Sequence, residues 1–201
     1  RLGKESDLSD PKIAKAIAKW YTMLHEKGRD YLSGSEIPMY DESDLITANN
    51  MAVIAEKTGT TRNILWQVIT ENYNMIRSRI DALRRTLTYN DFYWTNLIVS
   101  KNGESALMFD YNLLGKGIAY GDIRNVTSSL SNDASEAFIQ EYGDNIDEEE
   151  KKADAFISPL VTLINACEHE TFPSWAKGSL EELKNGDVLK HLKEWLNMEV
   201  L

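Results

Sequence analysis

Cysteine is nearly absent from this chain. Its single thiol, Cys167, has no partner within the 201 residues, which excludes an internal disulfide framework and leaves the fold to its core. Cys167 follows Leu163-Ile164-Asn165-Ala166, a setting that points to a buried core thiol rather than a nucleophile. Histidine is almost as scarce. His25, His169 and His191 share no metal-ligand spacing with one another or with Cys167, so zinc chemistry is not expected. Four prolines and 11 glycines are too few for long disorder or for a turn-rich β-sandwich. No apolar run approaches membrane-spanning length, and no charged-then-apolar leader opens the chain. A soluble, cytoplasmic protein without a membrane partner is therefore expected. Positive charge is also in deficit, with 22 Lys and Arg against 32 Asp and Glu and a formal net charge of -10. Phosphate backbones would be repelled, so nucleic acid is not an expected partner, and cationic partners are favoured instead.

The chain is 42% hydrophobic and 27% charged, enough to bury a sizeable core. No repeat, low-complexity tract or linker divides it, and residues 1–201 are expected to form a single domain. Residues 1–9 are polar and loop-like, and the chain starts on Arg1 rather than Met, so its natural start is expected to be lost or upstream. Ser9-Asp10-Pro11 predicts a helix start, with Ile13, Ile17, Trp20, Tyr21 and Leu24 at helical spacing, His25 near its end and Gly28 closing it. Ser43-Asp44 is expected to cap a second helix carrying Leu45, Ala48, Met51, Ala52 and Ala55. The longest helix is predicted over about residues 62–85, with Arg77, Arg79, Arg84 and Arg85 crowding its second half, where they suit either the negative end of the dipole or a phosphate contact. After residue 122, helices are expected to about Leu130, to Tyr142-Gly143, from the acidic run 147–150 through Ile164 with a possible kink at Pro159, and over Leu180–Leu196 with a break at Asn185-Gly186.

The informative stretch runs from Leu87 to Asp122. Two apolar runs, Leu97-Ile98-Val99 and Ala106-Leu107-Met108-Phe109, flank Lys101-Asn102-Gly103-Glu104, and Asn-Gly between apolar runs is a strong hairpin signal. Such a hairpin holds Asn96 and Asp110 at one end, within reach of the loop residue Asp91. Phosphoryl transfer needs groups of these kinds: one carboxylate to orient the attacking hydroxyl, and an amide oxygen and a second carboxylate to hold magnesium. Gly115 and Gly117 suggest a mobile or tightly turned segment, and no Walker-type lysine is present.

This segment resembles the catalytic region of the aminoglycoside phosphotransferase and choline kinase group, small-molecule kinases with the protein-kinase fold. Their pattern of His-x-Asp, four residues, Asn, a hairpin and an apolar-Asp pair reads here as Tyr89-Asn90-Asp91, Asn96 and Phe109-Asp110. The resemblance implies that Asp91 is the catalytic base, that Asn96 and Asp110 are magnesium ligands, and that Asp122 in Tyr120-Gly121-Asp122-Ile123 braces the catalytic loop. Tyr89 stands where the family has histidine and Asn90 where it has glycine or arginine, so the loop must be braced by different hydrogen bonds. Tyr93 and Trp94 are either a wall of an acceptor site or packing residues.

The resemblance implies a mainly α fold, the helical C-terminal lobe of a protein-kinase-like architecture, with a short β-hairpin carrying the catalytic and metal-binding loops. It implies a phosphotransferase that uses Mg2+ with ATP or GTP and acts on a small cationic or hydroxylated acceptor, most nearly of the aminoglycoside type. Glu168 and Glu170 are candidates for contacting such an acceptor, or else are simple exposed charges. Only about ten residues precede the first helix, too few for a sheet, so the N-terminal nucleotide lobe of these kinases is expected to be missing. Kinases of choline, a sugar or an amino acid, and a non-catalytic binding module, are the alternative readings.

Overall fold

The computed structural model describes residues 1–34, 37–143 and 146–199. They form two compact units, one of residues 1–40 and 84–147, the other of residues 41–83 and 148–201, outside the gaps just given.

The first unit is built on helix α1 (Pro11–Leu32), whose entry is fixed by Asp10: its side chain accepts from Lys12 N, ahead of a proline with no amide hydrogen to satisfy. Ile13, Ile17, Trp20 and Tyr21 are buried at helical spacing, each such burial contributing roughly 1.5–3 kcal/mol. They pack with Tyr89, Leu97, Met108, Val126 and Phe138 in one core. The chain enters the unit a second time through strand β1 (Thr86–Thr88), which pairs antiparallel with β4 (Gly115–Gly117), Thr86 opposite Gly117. Between them lies the hairpin of β2 (Leu97–Val99) and β3 (Ala106–Met108), in register Leu97↔Met108 and Val99↔Ala106. Ser100 closes its turn, the Oγ accepting from Glu104 N and Ser105 N while Gly103 takes a φ of 72°. Helices α4 (Ala119–Thr127) and α5 (Asn132–Tyr142) complete the unit, α5 packing along α1.

The second unit contains α2 (Ala48–Lys57), α3 (Ile64–Ala82), α6 (Glu148–Cys167), α7 (Lys177–Asn185) and α8 (Asp187–Leu196). Helix α6 touches α2, α7 and α8 and is the element on which the unit is assembled. It begins with three glutamates at its positive end and runs unbroken through the buried Pro159. Helices α7 and α8 part at Gly186, as the sequence indicates.

Several local expectations are corrected. Helix α1 does not stop at Gly28 but continues to Leu32. Gly28 is buried because β1 crosses it: a Cβ there would sit 2.5 Å from Leu87 N and 2.7 Å from Thr86 Oγ1. The longest helix is α1, with 22 residues, not α3, which has 19. Asn63 caps α3 and extended backbone at Leu83 ends it, so Arg84 and Arg85 lie beyond the helix. Asp41 caps a 3-10 turn over Glu42–Leu45, and Thr47, rather than Ser43-Asp44, caps α2. Residues 115–117 form a strand rather than a turn, and Gly115 passes so close to Tyr40 O that a Cβ would lie 2.5 Å from it. The start of the chain is not a loop: Gly3 N donates to Leu97 O and Val99 N to Arg1 O, laying residues 1–3 alongside β2 before a 3-10 turn at Glu5–Ser9. Cys167 is buried, and burial pushes its thiol above the ordinary range.

Candidate active site

Asp91 is the third residue after β1, and the loop from Tyr89 to Asn96 connects β1 to β2 through a 3-10 turn at Trp94–Asn96. Asn96 is the last residue before β2 and Asp110 the second after β3. The ladder continues one step past the strands, with Phe109 N donating to Asn96 O at 3.0 Å. The pairing thus sets Asn96 and Phe109-Asp110 side by side at the open end of the hairpin.

Asn96 then turns back onto the loop. Its Nδ2 donates to Asp91 Oδ2 at 2.9 Å and to Asp91 O at 3.3 Å, a contact of two half-buried side chains. That leaves Asp91 Oδ1 outside any hydrogen bond among the described residues. Asp110 is exposed and sits in the left-handed region with φ 64°, and no hydrogen bond or ion pair among the described residues engages its carboxylate. Asp and Asn adopt that conformation more readily than other side chains.

Asp122, only 1% exposed, reaches the loop from α4. Its Oδ2 accepts from Tyr89 N at 2.8 Å and its Oδ1 from Asn90 N at 2.9 Å. His25 Nε2 lies 3.1 Å from the same Oδ2, and His25 Nδ1 is 2.8 Å from the Tyr142 hydroxyl. In the neutral ring Nε2 donates to the carboxylate and Nδ1 accepts from Tyr142. Helix α1 runs on past His25, whose ring is spent on Asp122 and Tyr142.

Tyr89 and Asn90 show what replaces the bracing expected of a histidine and a glycine. Tyr89 is fully buried and its hydroxyl donates to Phe109 O, tying the loop to the segment that delivers Asp110. Burial first, then the charge of Asp91 and in smaller part that of Asp110, push its phenol above the ordinary range against an opposing Asn96 hydrogen bond, so it remains a donor. Burial and the Asp122 charge likewise raise Tyr21, whose hydroxyl is buried without a partner among the described residues. Asn90 has φ 62°, and its Nδ2 donates to Thr88 Oγ1 at 3.0 Å and Leu113 O at 3.0 Å. A glycine would reach that φ freely, and asparagine reaches it while adding two tethers.

Tyr93 is 55% exposed and its ring lies 5.7 Å from that of the half-buried Trp94. Glu168 and Glu170 stand exposed just past α6, in the second unit, whereas Asp91, Asn96, Asp110 and Asp122 all belong to the first. His25, Tyr89 and Tyr142 are the supports that sequence reasoning did not assign. The signal for Tyr89 was its own departure from the family pattern; nothing local marks Tyr142.

The donor set of Asn96 and Asp110 is all oxygen, one amide and one carboxylate. Among the described residues no group of three His, Cys, Asp or Glu side chains is placed to hold a metal. That chemistry suits Mg2+, which takes one or two carboxylates and completes its shell with phosphate and water, and it does not suit zinc.

No protein-family model and no curated protein sequence matches the chain. Solved structures do. A choline/ethanolamine kinase family protein from Mesorhizobium loti superposes with a TM-score of 0.56 at 13% identity, covering 97% of this chain and 70% of that one. A macrolide 2'-phosphotransferase from Brachybacterium faecium, as apoenzyme, gives a TM-score of 0.49 at 13% identity, covering 89% of this chain and 62% of its own. The first comparison establishes the fold: the helical lobe of a kinase-like architecture with a small β region. The likeness to the aminoglycoside phosphotransferase and choline kinase group thus holds at the level of fold. Among the described residues no helix is long and apolar enough to cross a membrane.

Proposed function

We propose that this chain provides the catalytic and metal-binding loops of a small-molecule phosphotransferase, which moves the terminal phosphate of ATP or GTP to a hydroxyl of an aminoglycoside-type acceptor. The observation that carries the reading is the hydrogen bond from Asn96 to Asp91 at 2.9 Å, made where the ladder sets Asn96 beside Phe109-Asp110. A base, an amide and a carboxylate gathered at one end of a hairpin have no purpose in packing, and they match the needs of phosphoryl transfer.

Asp91 Oδ1 orients the acceptor hydroxyl and takes its proton as the oxygen attacks phosphorus. Asn96 holds Oδ2, so the carboxylate presents one defined oxygen rather than rotating. Asn96 Oδ1 and the Asp110 carboxylate would hold Mg2+, which when bound neutralises phosphate charge. Asp122 fixes the peptide planes of Tyr89 and Asn90 just ahead of the base, and Tyr93 offers an exposed aromatic face beside it for an acceptor ring. The nucleotide phosphates require further groups beyond those of the Asp91 loop and the hairpin.

The test is nucleotide-dependent phosphorylation by the full-length protein against a panel of aminoglycosides, choline, sugars and amino acids. Asp91→Ala is expected to lower turnover by roughly 10²–10⁴-fold while leaving nucleotide binding in place. Asp110→Asn is expected to weaken magnesium-dependent nucleotide binding. Undiminished turnover in both variants would overturn the assignment, and absence of any magnesium-nucleotide binding would favour a non-catalytic module.

A further inference from the structure

Three arginines line one cavity in a chain whose formal net charge is -10. Arg29 lies in the last turn of α1, and Arg84 and Arg85 lie between α3 and β1. With Asp30, Leu32 and Ser33 they surround about 400 Å³ within the first unit. Among the described residues Asp30 is the one acidic side chain in that lining, so these residues give the cavity an excess of positive charge against the mean field of the molecule.

Guanidinium groups near a helix C-terminus are ordinarily explained by its free carbonyls. Here backbone donors already meet two of them: Ser33 N donates to Arg29 O at 3.1 Å and Gly34 N to Tyr31 O at 3.3 Å. No ion pair or hydrogen bond among the described residues engages the side chain of Arg29 or of Arg84, and Arg29 Nε is shut away from solvent with no partner. The terminal guanidinium nitrogens of Arg29 and Arg84, without an acceptor among the described residues, are the donors that an oxyanion in the cavity would meet. Arg85 has interactions of its own and adds charge rather than a vacant donor.

We propose that this cavity binds the phosphate group of a phosphorylated small molecule, with Arg29 and Arg84 as its anion ligands. Planar guanidinium forks match phosphate oxygens two at a time. The volume falls in the range of open clefts that take small ligands. The site shares no lining residue with the Asp91 loop and stands at the opposite end of β1, a strand rise of roughly 10 Å away. It is thus independent of the phosphotransferase reading.

The test is isothermal titration of inorganic phosphate and of a phosphomonoester, glycerol 3-phosphate, into the magnesium- and nucleotide-free protein at ionic strength fixed with chloride. Saturable binding is expected for both, tighter for the ester, retained in Asp91→Ala, and weakened at least tenfold in Arg84→Glu and Arg29→Lys. Arg84 is exposed, so Arg84→Glu leaves the core untouched, and circular dichroism checks that it is folded. Heats no larger than those of the chloride-matched buffer would overturn the proposal. So would binding unchanged in Arg84→Glu, or binding lost in Asp91→Ala, which would move the anion to the loop. An ester bound more weakly than free phosphate would overturn the assignment to a phosphorylated small molecule.

Discussion

A carboxylate that is 1% exposed must meet donors or take up a proton, and Asp122 meets two peptide N–H groups and an imidazole. Both N–H groups belong to residues immediately ahead of Asp91, so any loss at Asp122 is felt by the loop. Asp122→Ala is expected to cost about 3–5 kcal/mol, because it strands these donors in the interior, while Asp122→Asn, which keeps one acceptor, should cost less. Urea denaturation measures both, and hydrogen exchange at Tyr89 N and Asn90 N should accelerate in the same order. Tyr89 gives a prediction in the alkaline range. Its folded phenol keeps a proton that the unfolded chain releases near its ordinary value of 10.0. The stabilisation is therefore complete below pH 10 and is lost as pH climbs above it. Tyr89→Phe should lose about 1 kcal/mol at neutral pH with its bond to Phe109 O, and should lose less than the parent between pH 10 and pH 12. Urea midpoints at pH 8, 10 and 11 decide this, with Tyr21 common to both proteins.

At the scale of elements, the sequence was most legible where local chemistry and tertiary structure agree. The β2–β3 hairpin follows from two apolar runs around Asn102-Gly103, and with it the placement of Asn96 beside Asp110. The cap at Asp10-Pro11 and the break at Gly186 are equally local. What was not legible depends on residues distant in sequence. Strands β1 and β4 are three residues each and hold no periodicity to detect; they exist because they pair with each other across 26 intervening residues. Gly28 looked like a terminator because glycine commonly ends helices, yet its reason for being glycine is β1 passing over it. Gly28→Ala is accordingly expected to destabilise by about 1–3 kcal/mol, since neither Leu87 N nor the helix backbone can move aside cheaply. Gly178→Ala in α7, where an added methyl meets nothing within 4 Å, is expected to be neutral or to stabilise by a few tenths of a kcal/mol to about 1. A thermal melt of the pair distinguishes a glycine required by packing from one that is not.

At the scale of the whole molecule, the division into two units left no mark in composition. The chain passes between them near Tyr40, Arg84 and Asp147 without a Gly- or Pro-rich linker, because each unit is completed by a stretch that returns later. Net charge, by contrast, is fully legible, and it bears on the choice of acceptor. A surface carrying a formal charge of -10 attracts a polycationic amino sugar over several ångströms and is indifferent to a neutral one. Raising salt from 0.1 M to 1 M shortens the screening length from about 10 Å to about 3 Å. For the proposed transfer to an aminoglycoside, kcat/KM is expected to fall by about tenfold or more over that range. The loss should lie in KM, because the proton transfer at Asp91 takes place within contact distance, where screening by bulk ions has little hold. A neutral sugar acceptor should change less than twofold under the same conditions. Steady-state kinetics for both acceptors across the salt series measures this directly. A kcat/KM independent of salt for every acceptor would remove charge as the basis of selection and leave the shape of the site to decide between an amino sugar and a neutral one.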